Sequence, residues 1–370
     1  MSTLERSGPI NILYNTIKYI DRTMFNVKIL TLSPEKSNSA IGDFSSLGIE
    51  VVSLNMSRIK GAILGSKHLV EYVKKYKPDI IHTHGYRADI LSSKYLKKFN
   101  RCTTMHNYPF YDFVMTYGKY MGNLMARKQV RALKKIDRAI ACSQTIKDEM
   151  VKHGLNTLVV QNGVDKELFK VVKNDDKNLI KKKLKLPLDK KIFISVGHLN
   201  MRKDPKTLIK GYLKSKAKDD GILLMLGSGP LIEECKEIAI ANSEVLFLGH
   251  VNNVKEYLNG ADYFISSSLA EGLPNSVLEA LASSLPVCLS DIPSHNEILN
   301  INNNAGYCFK TEDIDDLTKK LNLLIEQDSE FLSAQAVSII DNKLNAENMS
   351  KSYQSIYLDI IEKKFNKSDL

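Results

Sequence analysis

One stretch constrains this chain more than any other: residues 262–297, DYFISSSLAEGLPNSVLEALASSLPVCLSDIPSHNE. It opens with a short apolar run at 263–267, passes through a polar loop, reads as a helix over about 274–283, and returns to an apolar run at 286–290. Two runs of strand length joined by a helix predict a βαβ unit, because parallel strands need a crossover connection. The loop leaving the first strand then carries the polar chemistry. Glu271 lies in it, and Glu279 follows eight residues later, two turns into the helix. Between them stand Gly272, Leu273, Pro274 and Asn275. Gly272 lets a ligand approach the backbone, and Pro274 suits the first helical position, where no N–H is needed. The first N–H groups of such a helix favour an anion such as phosphate. A second reading stays open: Ser276-x-x-Glu279 has the spacing of a capping box, which would make Glu279 a cap partner and Glu271 a solvated loop acid.

The same alternation runs through the chain. Strands are predicted at 27–32, 51–54, 80–83, 102–106, 138–143 and 158–161, with helices at 10–20, 66–76, 88–97, 121–135 and 144–153. Strands alternating with helices predict parallel sheets covered on both faces. The 370 residues suffice for two such domains, and 43% hydrophobic with 25% charged residues is a globular balance. No run of eighteen apolar residues offers a membrane span, and MSTLERSGPI lacks the apolar core of a signal peptide. A cytoplasmic location is expected, peripheral on the inner face of the cell membrane. Cys102, Cys142, Cys235, Cys288 and Cys308 form no C-x-x-C pair and read as reduced thiols. The net charge of +10 favours acidic partners: nucleotides, anionic lipid head groups or nucleic acid.

At the start, SGP before the helix at 10–20 reads as a βα loop with Pro9 at the helix start, yet MSTLER holds no β-branched apolar run. A doubly wound sheet needs a strand there, near its centre. The expectation is a reading frame that continues upstream through a β-rich segment.

His82 and His84 in DIIHTHGYRAD, and His106 in TTMHN, fall at strand C-terminal ends, where ligands bind in open α/β sheets. No third ligand follows H-x-H at helical spacing, so no metal site is expected. For His106 the alternative is a buried, hydrogen-bonded core histidine. Residues 117–138 form a basic amphipathic stretch, with Tyr120, Met121, Leu124 and Met125 beside Lys119, Arg127, Lys128 and Arg131. It suits an anionic membrane surface, or else a solvated helix whose apolar side packs on its domain. The lysine-rich stretch 173–191 reads as a linker with a short helix and a solvated charged face. Beyond a strand at 192–196, Asp204-Pro205 is a helix start, and Arg202 and Lys203 beside it make a diphosphate site. GSGP after the next strand is too short for a G-x-G-x-x-G fingerprint. Helices are predicted at 313–327, 333–341 and 347–365.

EGLPNSVLEALASSLPVCLSDIPSHNEI resembles, over about thirty positions, the E-x7-E segment of glycosyltransferase family 4; TMHN, NGVD and GHLNMRKDP are similar to other segments of that family. The resemblance implies the α/β GT-B fold, two doubly wound Rossmann-like domains facing a cleft. An acceptor domain would span 1–172, a nucleotide-sugar domain 173–345, and a final helix, 346–370, would cross back to the first. It implies a retaining, metal-independent hexosyltransferase with a nucleotide diphosphate sugar, a UDP-sugar, as donor and no cofactor. The acceptor would be a lipid-linked glycan of a bacterial surface polysaccharide: capsule, O-antigen or exopolysaccharide. By resemblance, Glu271 contacts the sugar on its reacting side, His106 faces the donor sugar, and Lys203 holds the diphosphate. Gly8 falls in the family's Gly-rich loop. His198 stands where the family has an arginine; either Arg202 would replace it or His198 would itself donate a weaker bond. His250 and Val251 line the base, the loop of Gly272, Leu273, Pro274 and Asn275 holds sugar hydroxyls and phosphate through the backbone amides that carry N–H, and Glu279 accepts from the ribose. The partners implied are donor, acceptor and an anionic membrane surface at 117–138, with no nucleic acid. Two rivals share these features: a nucleotide-sugar 2-epimerase of the same fold, and a non-catalytic subunit that binds nucleotide sugar or glycan.

Overall fold

Every strand ladder among the described residues is parallel. The computed structural model describes residues 1–56 and 65–368. In chain order the strands are β1 (Lys28–Thr31), β2 (Glu50–Ser53), β3 (Ile81–His84), β4 (Arg101–Met105), β5 (Arg138–Ala141) and β6 (Leu158–Val159). There follow β7 (Lys191–Val196), β8 (Gly221–Leu226), β9 (Val245–Gly249), β10 (Tyr263–Ser266), β11 (Val287–Ser290) and β12 (Gly306–Phe309). The chain divides into two compact units, one of residues 1–162 with 346–370, the other of residues 163–345. Residue 172, the expected end of the first domain, lies inside the second unit. Val164 N donates to Leu344 O at 3.0 Å and Lys166 pairs with Asp341 at 3.3 Å, which ties this segment to residues of its own unit.

In the second unit the sheet order is β12-β11-β10-β7-β8-β9, the doubly wound arrangement that reverses between β7 and β10. Its strands are apolar on both faces because helices cover both: every residue of β8 (GILLML), β10 (YFIS) and β11 (VCLS) is buried. The expected βαβ unit forms, with Phe264 opposite Val287 and the helix Asn275–Ala282 between the strands. The lysine-rich stretch contains the helix Asn174–Lys183, and part of it is anchored, not solvated. Lys177 and Lys181 both pair with the half-buried Asp262, at 2.7 and 3.2 Å.

The first unit holds two separate ladders among the described residues, β1-β2 and β3-β4-β5-β6. Residues 1–4 form no strand. They lie along the end of β1, where Leu32 N donates to Met1 O at 3.0 Å and Ser33 N to Ser2 O at 2.9 Å. The final helix, Ala346–Ser368, belongs to this unit: Met349, Tyr353, Tyr357 and Ile360 share a buried cluster with Ile12, Ile20, Cys102, Ile140 and Val160.

The basic stretch is the second arm of a helical pair, Pro109–Tyr117 and Lys119–Leu133. The first arm, PFYDFVMTY, reads as β-forming by composition; Pro109 at its start and the packing partner make it helical. The packed side of the second arm is Gly122, Ala126, Val130 and Leu133, whereas Tyr120, Met121 and Leu124 are 92%, 54% and 61% exposed. Three of the four residues of the apolar cluster read from the sequence are therefore exposed, and the fourth, Met125, is half-buried. Gly122 is where the arms touch: a β-carbon there would stand 2.5 Å from Phe113 O. Gly122→Ala is expected to cost about 1–3 kcal/mol in chemical denaturation through overpacking against backbone. An unchanged midpoint would show that the two arms separate freely.

Candidate active site

Three loops of the second unit, those after β7, β8 and β9, are stitched together by backbone bonds. Leu199 N donates to Ser228 O at 2.9 Å, Leu231 N to Leu199 O at 3.0 Å, and Gly227 N to Gly249 O at 2.7 Å. Gly227 has a φ of +127°, and a β-carbon there would collide with Gly197 O, so only glycine closes this turn. At the reversal point between β7 and β10 the chain opens a pocket lined by Gly197, His198, Lys203, Ser266, Ser267 and Ser268.

The loop after β7 ends in a single helical turn, Met201–Lys203, capped by Asn200, whose side chain accepts from Lys203 N at 3.1 Å. Asp204 caps the helix Pro205–Lys214 as its sequence predicts, accepting from Thr207 N at 3.3 Å. Back-to-back caps hold Arg202 and Lys203 at the mouth of the pocket. The loop after β10 is sewn to the same turn: Leu269 N donates to Arg202 O at 2.7 Å, and Ser267 Oγ to Lys203 O at 2.9 Å and Asp204 O at 2.7 Å.

These bonds bring Glu271 onto the two cations. Lys203 Nζ and Ser268 Oγ (2.8 Å) share its Oε1, and Arg202 Nη1 reaches Oε2 at 2.9 Å. Glu271 is no solvated loop acid, since its side chain is only 7% exposed. Burial acts to raise its pKa, but the charges of Lys203 and Arg202 and the bond from Ser268 prevail and hold it at about 2. Gly272, Leu273 and Pro274 are buried behind it. Pro274 is the N-cap, one position before the helical place expected of it, and Asn275 starts the helix. No side chain caps this helix, so the Ser276–Glu279 capping box does not form.

Glu279 is half-buried, and its carboxyl group has no hydrogen-bond partner among the described residues. Burial alone raises its pKa to about 7. His198 is exposed at the rim of the pocket, and His250 (exposed) and Val251 (half-buried) follow β9, two strands across from β7. Sequence reasoning missed Ser267 and Ser268; the run of three serines leaving a buried strand was the available signal.

Gly8 and His106 belong to the other unit. Gly8 opens the helix Gly8–Lys18. His106 Nε2 lies 3.0 Å from His84 Nδ1, and its own Nδ1 is buried without a partner among the described residues. His82 bridges Tyr357 OH and Thr104 Oγ1, each at 2.8 Å, and Tyr353 OH meets Thr104 Oγ1 at 2.9 Å. Burial lowers the pKa of His106 to about 4, which keeps it neutral at physiological pH.

Glu279 sets a pH-dependent stability. Its folded pKa lies above the ordinary carboxyl value, so its contribution to stability is complete below about pH 4.5 and is lost as pH rises through 7. Glu279→Gln should therefore raise the melting temperature of the ligand-free protein at pH 8 by about 2–4 °C, with the gap closing below about pH 5. Equal melting curves at both pH values would mean that solvent already satisfies the carboxylate.

Residues 7–168 match the family described as Glycosyltransferase Family 4, and residues 176–342 the family described as Glycosyl transferases group 1. The UDP-Gal:alpha-D-GlcNAc-diphosphoundecaprenol alpha-1,3-galactosyltransferase of Escherichia coli is 26% identical over 311 residues, 80% of this chain and 79% of that protein. A glycosyltransferase from Rickettsia africae has the same fold, with a TM-score of 0.76 at 18% identity over 96% of both chains. So does Anabaena HepE in complex with UDP, with a TM-score of 0.81 at 15% identity over 97% of this chain and 98% of that one. Two Rossmann-like α/β units with parallel sheets, each matched by its own family description, and GT-B neighbours over nearly the whole length lead to one conclusion: the chain is a glycosyltransferase of family 4 with the GT-B fold.

Proposed function

We propose that the chain transfers a hexose, with retention of configuration, from a UDP-sugar to a lipid-linked glycan in the synthesis of a bacterial surface polysaccharide. The observation that carries this reading is the cluster of Arg202, Lys203 and Glu271 beside the pocket at the reversal point of a doubly wound sheet. A diphosphate leaving group gains negative charge as the sugar–oxygen bond breaks, and two preorganised cations are suited to take it up. Lys203 and Arg202 take that role, so no divalent metal and no cofactor beyond the donor is required. Glu271, ionised at neutral pH, suits a sugar that becomes cation-like. Glu279 supplies unpaired acceptor capacity for ribose hydroxyls, and His106 is assigned to the donor sugar by family resemblance alone. The lipid-linked acceptor is favoured by what the E. coli relative is named to act on, a diphosphoundecaprenol-linked sugar.

Incubation with a panel of UDP-hexoses and undecaprenyl diphosphate-linked N-acetylglucosamine, in excess EDTA, tests the reading. Transfer with the donor's anomeric configuration kept is the expected result. Lys203→Ala and Glu271→Gln should each lower kcat by about 10²–10³-fold. Free 2-epimerised sugar without acceptor would assign the epimerase reading instead, and binding without turnover the non-catalytic one. Complete loss in EDTA restored by Mg²⁺ would overturn the leaving-group assignment.

The same reading puts the helix Lys119–Leu133 on the inner face of the membrane. Among the described residues no helix is long and apolar enough to cross one. Tyr120, Met121 and Leu124 are exposed on this helix beside Lys119, Arg127, Lys128 and Arg131, the pairing of apolar wedge and basic rim that suits anionic lipid. Sedimentation with vesicles containing phosphatidylglycerol should fall about tenfold for Tyr120→Asp with Leu124→Asp, with transfer to a water-soluble acceptor kept. Equal sedimentation of variant and wild type would remove this helix from membrane binding.

A further inference from the structure

Beneath the cation–carboxylate cluster runs a second layer of polar side chains that the reaction scheme leaves unused. The backbone carbonyl of Ser268 accepts from Ser290 Oγ at 2.6 Å. With its proton committed there, Ser290 Oγ can only accept from His295, whose Nδ1 lies 3.1 Å from it and 2.9 Å from the Ser290 carbonyl. Both contacts are made if Nδ1 carries the ring proton. Ser268, Ser290 and His295 are each completely buried. Burial lowers the pKa of His295 to about 4, against the pull of Glu271 and the Ser290 carbonyl, so the ring stays neutral. Its Nε2 is buried with no partner among the described residues. A buried polar layer of this kind holds one geometry or fails; it has no solvent to fall back on.

Glu271 has three side-chain partners: Lys203, Arg202 and Ser268. The first two are the cations that a diphosphate claims when the donor binds. Ser268 is neutral and offers a diphosphate no comparable attraction, so it keeps its bond to Glu271 when the cations turn away. At that moment the aim of the carboxylate depends on Ser268 and on whatever fixes the backbone of Ser268. Resting on the function proposed above, we infer that Ser268, Ser290 and His295 are positioning residues that hold Glu271 toward the sugar while Arg202 and Lys203 engage the leaving diphosphate.

The test is steady-state kinetics with whichever UDP-hexose the wild type turns over, beside calorimetric titration with UDP and a thermal melt of each variant. Ser268→Ala and Ser290→Ala should lower kcat about tenfold, with donor KM and UDP affinity changed by less than about twofold. In a Glu271→Gln background the same substitutions should change kcat by less than about twofold, because the group they aim is gone. His295→Phe should behave as Ser290→Ala does, while His295→Asn, whose amide N–H can replace the Nδ1 donor, should recover most of the rate. A merely structural role would persist in the Glu271→Gln background and would not be rescued by asparagine. Multiplicative losses in that background, or an unchanged kcat in folded Ser290→Ala, overturn the inference alone. A wild type that neither binds UDP nor turns over a UDP-hexose overturns the proposed function, and the inference with it.

Discussion

The parallel pairing of β7 with β10 is the constraint from which the second unit's chemistry follows. These two strands are neighbours in the sheet but far apart in the chain, and their crossover connections leave toward opposite sides. The loops after them diverge, and a crevice is unavoidable. Into it the chain directs Arg202 and Lys203 from one loop and Glu271 from the other. Like charges beside each other at a half-buried mouth repel, and the carboxylate between them relieves that repulsion. The site is thus held together in the ligand-free state by an acid that substrate must partly displace. The same acid keeps the two cations extended and pointed inward.

Much of this was legible in the residues because it rests on local rules. Asp204-Pro205 starts a helix wherever it stands, and the apolar runs around Glu271 and Glu279 fix a βαβ unit by length and spacing. What stayed hidden rests on partners distant in the chain. Lys177 and Lys181 look like a solvated charge run until the fold brings Asp262 beside them. Ser268 looks like one serine of three until Ser290 and His295 arrive beneath it. Strand β12, GYCF, has no β-branched residue and begins with a glycine; it is a strand because Val287–Ser290 offers it an edge. The helix Pro109–Tyr117 was missed for the opposite reason, a β-like composition overridden by packing against Gly122. Pro274 was misplaced by one position, the ordinary uncertainty of a helix end.

The histidines of the first unit show a related limit. His84 and His106 sit at strand ends, as the sequence places them, but His82 lies inside β3, and its surroundings come from the other end of the chain. Tyr353 and Tyr357 of the final helix reach Thr104 and His82, and nothing near DIIHTHG announces them.

That borrowing also sets an order of events at the ribosome. Domains usually fold as they emerge, the first-made first. Here residues 1–162 leave the ribosome first, yet Cys102, Ile140 and Val160 cannot complete their buried cluster until Met349, Tyr353 and Tyr357 have been made. Residues 163–345 form their unit from one continuous segment and have every partner in hand as soon as they are synthesised. The second unit is therefore the first that can be finished. The first unit must wait with an apolar groove open, the interval during which a nascent chain most needs a chaperone.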